Sequence, residues 1–250
     1  MQKLLGLMRR CVDDYQMIGS GDRIAVGVSG GKDSLTLLVL LAGLRDFYPT
    51  AFSLEAITID MGLGGMDFSG VEELCRRLDV PYRKIDTQIG PVIFEHRKEK
   101  NPCSMCAKMR RGALNEALLE RGCNKVALGH HYDDAVETFL MSLIFEGRLS
   151  CFQPVTYLDR TGVTQIRPML YLSEKTVAHF ADRMDLPVVH NPCPADKHTK
   201  RQEIKDLIYS LSAVYPDLKT RIFGAMQRLP LPEWGPIDHS RRPLPDVELE

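Results

Sequence analysis

The chain has 250 residues, 44% of them hydrophobic, which is enough for one sizeable core with at most a small appendage. Its 32 basic and 33 acidic residues leave a net charge of -1, so no global cationic field advertises nucleic acid. No apolar run is long enough to span a bilayer and no signal-peptide core follows Met1, so a cytoplasmic protein without a membrane span is expected, its seven cysteines serving as metal ligands, catalytic thiols or core fillers.

Residues 1 to 20 carry an amphipathic pattern and predict a first helix. RIAVGV, residues 23 to 28, predicts a short buried strand, followed by a helix over 34 to 47. A second strand is expected over 53 to 59, a helix over 69 to 79 and a third strand over 81 to 86. A helix over 104 to 121, the strand KVALG at 125 to 129 and a helix over 133 to 146 follow. Helices then dominate, over 173 to 184, 198 to 213 and 217 to 228. Strands alternating with helices predict an α/β fold, a parallel sheet flanked by helices with a helical C-terminal part. Residues 1–228 read as one domain, and the proline-rich tail 229–250 as extended or disordered.

The first strand runs into VSGGKDS, residues 28 to 34. Gly30 and Gly31 let backbone N–H groups curl around an anion, and the helix starting near Ser34 aims its positive end at the same point. Lys32 adds a point charge, while Ser29 and Ser34 add hydroxyl donors. The common nucleoside-triphosphatase loop has four residues between its glycines and then Lys-Ser or Lys-Thr. Here three residues separate Gly27 from Gly31, and Asp33 follows the lysine, so the turn is a phosphate loop of another kind. GHHYDD at 129 to 134 ends a strand and opens a helix, the place where open parallel sheets bind ligands. One aspartate there caps free N–H groups; a second suits a hard cation such as Mg²⁺. Asp134 is the candidate for Mg²⁺ or for transition-state positioning, and Asp133 the cap or a neighbour. His130 and His131 read as nucleotide packing or helix entry.

Cys103 and Cys106 form a C-x-x-C at the mouth of a helix, whose N-terminus is expected to favour their thiolates. The spacing suits one metal, a cluster or a redox pair. Cys193, between two prolines, is a third candidate. A zinc site would need a further ligand, for which His190 and His198 are nearest. Cys11, Cys75, Cys123 and Cys151 read as packing residues.

SGGKDS resembles the pyrophosphate loop of the N-type ATP pyrophosphatases. The order and spacing of SGGKDS, CSMCAKMRRG, GHHYDD, IRPMLYLSEK and KRQEIKDLI resemble the TtcA/TtuA family of tRNA thiolation enzymes, over residues 20 to 228. The paired zinc-finger cysteines of the TtuA branch are missing, so the likeness is to the TtcA branch, which makes 2-thiocytidine.

The resemblance implies an adenine nucleotide alpha hydrolase-like, Rossmann-like fold. It implies ATP binding by Val28, Ser29, Gly30, Gly31, Lys32, Asp33 and Ser34, by Ile59 and Asp60 against the adenosine, and by Gly129 and His130. It also implies catalytic roles for Lys32, Asp134 and Arg110, and a [4Fe-4S] cluster on Cys103, Cys106 and Cys193 with one iron open. His190 stands where that branch has a further cysteine. Lys108, Arg111, Lys197, Lys200 and Arg201 are the expected tRNA phosphate contacts. The implied reaction adenylates a pyrimidine C2 carbonyl, that of tRNA cytidine 32, and replaces its oxygen by sulfur from sulfide or a cysteine desulfurase persulfide, releasing AMP and pyrophosphate. A homodimer is implied. The rival readings are a family member acting on another nucleoside or small molecule, and a nucleotide-responsive iron–sulfur or zinc sensor.

Overall fold

The computed structural model describes residues 1–97, 102–193 and 200–228. The tail 229–250, Lys197 and His198 lie outside these residues. Helix α1 is Gln2–Asp14, β1 is Asp22–Gly27 and α2 is Lys32–Arg45. Strand β2 is Phe52–Asp60, α3 is Ser69–Arg77 and β3 is Tyr82–Asp86. A short helix α4, Ile89–Pro91, runs into a π-helical stretch Val92–Arg97, and α5 is Pro102–Arg121. Then come β4 (Lys125–Ala127), α6 (Tyr132–Glu146), the strands β5 (Val155–Leu158) and β6 (Val163–Ile166), α7 (Glu174–Arg183), α8 (Lys200–Val214) and α9 (Leu218–Arg228).

The six strands form one sheet in the order β3-β2-β1-β4-β6-β5. All neighbours are parallel except β5 and β6, an antiparallel pair that makes the sheet mixed. That hairpin was not expected. It closes through residues 159–162, where Gly162 takes φ +68° and its N–H donates to the Leu158 carbonyl at 2.8 Å. The first helix is shorter than expected: it ends at Asp14, and Gln16 (φ 47°) and Gly21 (φ 76°) turn the chain into β1.

Helix α2 is apolar on every side, KDSLTLLVLLAGLR, and is buried all round between the sheet and its neighbours. The other face of the sheet is covered by α5. Its Ala117 and Leu118 pack on Ala25, Ile57 and Val126, and the Arg121 Nε–H donates to the buried Glu55 carboxylate of β2 at 2.6 Å. This fixes the C-terminal end of α5 to the sheet and carries its N-terminal, cysteine-bearing end out over the ends of the strands.

The strand order reverses direction between β1 and β4. In an open parallel sheet the crevice beyond the strand ends at that point is where ligands bind. Gly129 is displaced just past β4 for a steric reason: a Cβ there would lie 3.1 Å from the Asp33 carbonyl carbon and the Ser34 nitrogen. The glycine lets the end of β4 lie against the start of α2.

Because α2 fills the centre, Leu40→Ala, at a fully buried position, is expected to destabilise the fold by about 2–5 kcal/mol. Leu119→Ala, on the exposed side of α5, is expected to cost less than about 0.5 kcal/mol. Urea denaturation of both variants checks the contrast.

Candidate active site

The turn after β1 is built by its own polar groups. The Ser34 hydroxyl donates to the Gly31 carbonyl at 2.9 Å and accepts the Ser29 N–H at 3.1 Å. The Ser29 hydroxyl accepts the Gly31 N–H at 3.4 Å. Gly30 has φ +84°, the left-handed region, and a Cβ on it would meet the Cβ of Val189 at 2.8 Å. The Gly30 carbonyl also accepts the Val189 N–H at 2.9 Å. The glycine is required both by its conformation and by the chain packed on it. That chain leads in four residues to Cys193.

Lys32 lies between Asp33, at 2.9 Å, and Glu174 of α7, at 3.4 Å. Burial by itself would lower its pKa, but Asp33 and then Glu174 outweigh that and raise it. Lys32 is therefore a fixed cation.

The start of α6 is a capping box in which a histidine takes the usual hydroxyl's place. The His131 ring accepts the Asp134 N–H at 3.4 Å, and the Asp134 carboxylate accepts the His131 N–H at 3.0 Å. This is the helix-entry role expected of His131. Asp133 faces inward, paired with Lys219 of α9 at 2.6 Å and accepting the first free N–H of α7, that of Glu174. Its role as a cap holds, but the helix it caps is α7. The other oxygen of Asp134 accepts from Arg201 at 2.7 Å. For Asp134 to ligate Mg²⁺, the cation would have to replace that guanidinium. Arg201, expected on an open tRNA-facing surface, instead lies among Asp134, Glu137 and Thr138. Glu137, almost fully buried there, is pushed up to about 7 by burial, against the charges of Lys205 and Arg201.

Beside the turn, under α5, lies a cavity of about 250 Å³. Its walls join three groups of residues. Val28 and Ser29 come from the loop, Ile57 and Ile59 from β2, and Arg110, Arg111, His130 and Gln165 from the β4–β6 side and α5. No carboxylate is among the described lining residues. The Asp60 side chain is spent nearby, accepting the Gly62 N–H at 3.0 Å and pairing with Lys84 at 3.4 Å. His130 stacks on Phe152 with ring centroids 4.7 Å apart, and its Nδ1 has no partner among the described residues. Burial first, then Arg167, drives its pKa down to about 4, so it is a neutral ring at neutral pH.

Ala107 and Arg110 of α5 line this cavity, and the C-x-x-C lies just before them on the same helix. Cys106 is half-buried against Met61, 3.6 Å between sulfurs, and Cys103 is exposed at the helix mouth. Cys193, on the segment tied to Gly30, is half-buried. Its charge and that of Cys103 both act on Cys106, which places the three thiols in one neighbourhood. The expected thiolate bias of the helix N-terminus is reversed at Cys106: burial is the largest influence and pushes its pKa up, with Arg110 opposing. Among the described residues no three His, Cys, Asp or Glu side chains close to the geometry of a single metal ion. Three thiols in one neighbourhood are a donor set that an iron–sulfur cluster takes. His190 is exposed and joins no such group. Cys11, Cys75 and Cys123 are buried and Cys151 is half-buried with its pKa raised to about 12 by burial, as packing thiols should be.

Lys108 and Arg111 are exposed on α5, and Lys200 is exposed at the start of α8, over the Phe145 ring at 4.7 Å. Sequence reasoning missed Glu174, Lys205, Lys219, Gln165 and Arg167. The first and the last lie in IRPMLYLSEK, and that conspicuous string was the available signal.

Two predictions follow from this geometry. Gly30→Ala is expected to weaken ATP binding and iron retention together, measured by nucleotide titration and iron content; a loss of one alone contradicts the coupling. His130 has a folded-state pKa of about 4 against about 6.5 when exposed. The unfolded chain therefore binds more protons between these values, and stability present above pH 6.5 is lost as pH falls toward 4. His130→Asn is expected to flatten that part of the stability curve in pH-dependent urea unfolding.

Comparison with known proteins agrees with this architecture. A PP-loop domain family, ATP_bind_3, matches residues 7–211. A tRNA-cytidine(32) 2-sulfurtransferase from Anaeromyxobacter dehalogenans is 39% identical over 227 residues, covering 90% of this chain and 78% of the relative. One from Pelobacter propionicus is 38% identical over 231 residues, covering 91% and 86%. Among solved structures, the U34-tRNA thiolase NcsA from Methanococcus maripaludis with its [4Fe-4S] cluster aligns with a TM-score of 0.70 at 26% identity, covering 87% of this chain and 75% of that one. These matches show the family: the chain belongs to the ATP_bind_3 family of PP-loop domains, together with the tRNA-cytidine(32) 2-sulfurtransferases.

Proposed function

We propose that the protein is an ATP-dependent, iron–sulfur-dependent tRNA sulfurtransferase that converts a cytidine, position 32 in the relatives' name, to 2-thiocytidine. The observation that carries this reading is the shared cavity: Ser29 of the phosphate turn and Arg110, one turn from Cys106, line the same space.

Oxide is a poor leaving group from a pyrimidine C2. The cytidine O2 attacks the α-phosphorus of ATP, the bond to the β-phosphate oxygen breaks, and pyrophosphate leaves. Lys32, the N–H groups of the glycine turn and the N-terminus of α2 hold the charge that develops on that pyrophosphate. Sulfur then forms a bond to C2, and AMP departs with the former O2. Arg110 steadies the α-phosphate during both steps, and neutral His130 packs the nucleotide without adding charge. Cys103, Cys106 and Cys193 would hold a [4Fe-4S] cluster, which when bound would supply a site for the hydrosulfide. Asp134 holds Mg²⁺ if Arg201 gives way to it. The sulfur comes from sulfide, or from a cysteine desulfurase persulfide whose outer sulfur a thiol reductant releases as hydrosulfide while the thiols are oxidised to a disulfide. Lys108, Arg111 and Lys200, with Lys197, meet tRNA phosphates. The working form is a cytoplasmic homodimer, and residues 1–228 act as one domain with the tail 229–250 outside it. Among the described residues, no helix is long and apolar enough to cross a membrane.

The test is mass spectrometry of tRNA nucleosides after reaction with anaerobically purified protein, ATP and sulfide, with pyrophosphate measured alongside. 2-Thiocytidine and pyrophosphate are expected in step, and only with tRNA present. Pyrophosphate that is indifferent to tRNA, or a colourless zinc protein, sinks the proposal. Lys32→Ala is expected to lower the rate about 10²–10³-fold. Cys106→Ala is expected to abolish thiolation while leaving ATP affinity near wild type.

A further inference from the structure

Arg167 is 6% exposed, just past the end of β6. The charges that bear most on Arg167 are the Cys151 thiol and the like charge of Arg111, Arg167 in turn acts on His130, and no carboxylate of the described residues is among these groups. A buried cation without a counter-charge is costly to keep. Its Nη donors go to neutral oxygens, and its buried Nε–H has no partner among the described residues. Nη1 donates to the Gln153 carbonyl and to the Thr156 hydroxyl at 3.2 Å, and Nη2 donates to the Gln165 side-chain oxygen at 3.4 Å. Its flat face lies over the Phe152 ring, 4.9 Å from the centroid.

Residues 163, 165 and 167 alternate onto one face of the sheet. Val163 belongs to the cluster beneath α5, so Gln165 and Arg167 face the same side. Gln165 lines the cavity alongside Arg110 and His130. A side-chain amide has a donor end and an acceptor end. Against a guanidinium N–H only the oxygen end is tolerated, so the N–H₂ end is left for the cavity.

The position of Gln165 says what that donor meets. It stands on β6, three strands from Ile57 and Ile59 of β2 in the order β2-β1-β4-β6. At about 4.8 Å per strand the separation is roughly 14 Å. An adenine docked against β2 does not span it, so the base at Gln165 is that of the other reactant.

We infer that Arg167 locks the Gln165 amide with its N–H₂ toward the cavity, and that this donor reads N3 of the target cytosine and rejects uracil. The inference rests on the proposed tRNA-cytidine reaction. Cytosine N3 is a bare acceptor beside O2, the atom to be adenylated. Uracil N3 carries a hydrogen, so a locked N–H₂ meets another donor there, and both lose their partners. An unlocked glutamine flips and accepts from uracil instead. Gln165 is thus the specificity residue and Arg167 the positioning residue.

The experiment measures thiolation kcat/KM of the cluster-loaded enzyme on two tRNAs that differ only in cytidine or uridine at the target position, with ATP and GTP affinity measured in parallel. Wild type is expected to prefer cytidine. Arg167→Met is expected to shrink the cytidine-to-uridine ratio about 10- to 100-fold, by gain on uridine as well as loss on cytidine. Arg167→Lys, which still donates to the Gln165 oxygen, is expected to restore most of the ratio. Gln165→Leu leaves the buried guanidinium in place and carries the test if Arg167→Met fails to fold; its ratio is expected to approach unity. An unchanged ratio in Gln165→Leu overturns the inference, as does a shift in ATP-over-GTP preference, which would make Gln165 an adenine contact. In both cases wild-type cytidine thiolation persists. Wild type that binds ATP but thiolates neither tRNA overturns the underlying reaction, and the inference with it.

Discussion

One backbone hydrogen bond, from the Val189 N–H to the Gly30 carbonyl at 2.9 Å, joins the two chemistries of this molecule. Gly30 sits in the left-handed region with Val189 packed where a side chain would be. Any side chain at residue 30 would therefore push the segment on the way to Cys193 off the phosphate turn. A second glycine repeats the device, since a Cβ on Gly70, at the start of α3, would meet Pro187 at 2.7 Å. Through these two contacts a long-range loop is held against the sheet without a disulfide or a strand pairing. The segment so held carries Cys193, a thiol far from the turn in sequence, into the neighbourhood of Cys106 on α5.

The two sides of the site differ in charge. At the phosphate end, Asp33, Asp133, Asp134, Glu137 and Glu174 are interleaved with Lys32, Arg201, Lys205 and Lys219. Three of those four cations come from α8 and α9, so the C-terminal helices complete the phosphate end rather than merely cover it. A triphosphate reaching Lys32 competes with Asp33 and Glu174 for one ammonium group, and Lys205 at 3.1 Å remains to hold Glu174. On the cavity side, Arg110 and Arg111 line the space and Arg167 stands behind it, with no carboxylate among the described lining. Such a surface suits an electron-rich reactant and the developing charge of an α-phosphate.

Much of this was legible from residue patterns. VSGGKDS reads as a phosphate turn because glycines, lysine and hydroxyls have one shared use at a strand–helix junction, and the structure puts the turn there. The alternation of elements predicts the parallel core because buried strands such as RIAVGV need helices on both faces. Other features depend on long-range contacts that local pattern does not carry. The burial of Cys106 beside Met61 overrides the helix-end effect on its thiol. Arg201, expected as a tRNA phosphate contact, is paired with Asp134 on a helix more than sixty residues away. The β5–β6 hairpin did carry a signal, VTYL and VTQI around a turn with glycine, but the helices on either side dominate the reading. Gln165 has no local mark at all; only the sheet order places it in the cavity.

The central claim is spatial: nucleotide and iron centre face one another across a single cavity. Anomalous diffraction at the iron edge, from anaerobic crystals grown with a non-hydrolysable ATP analogue, tests it most directly. The account predicts an iron peak among Cys103, Cys106 and Cys193, with the analogue's α-phosphate on the opposite wall beside Ser29 and Arg110. Iron bound elsewhere, or α5 standing between the iron and the α-phosphate, would contradict it.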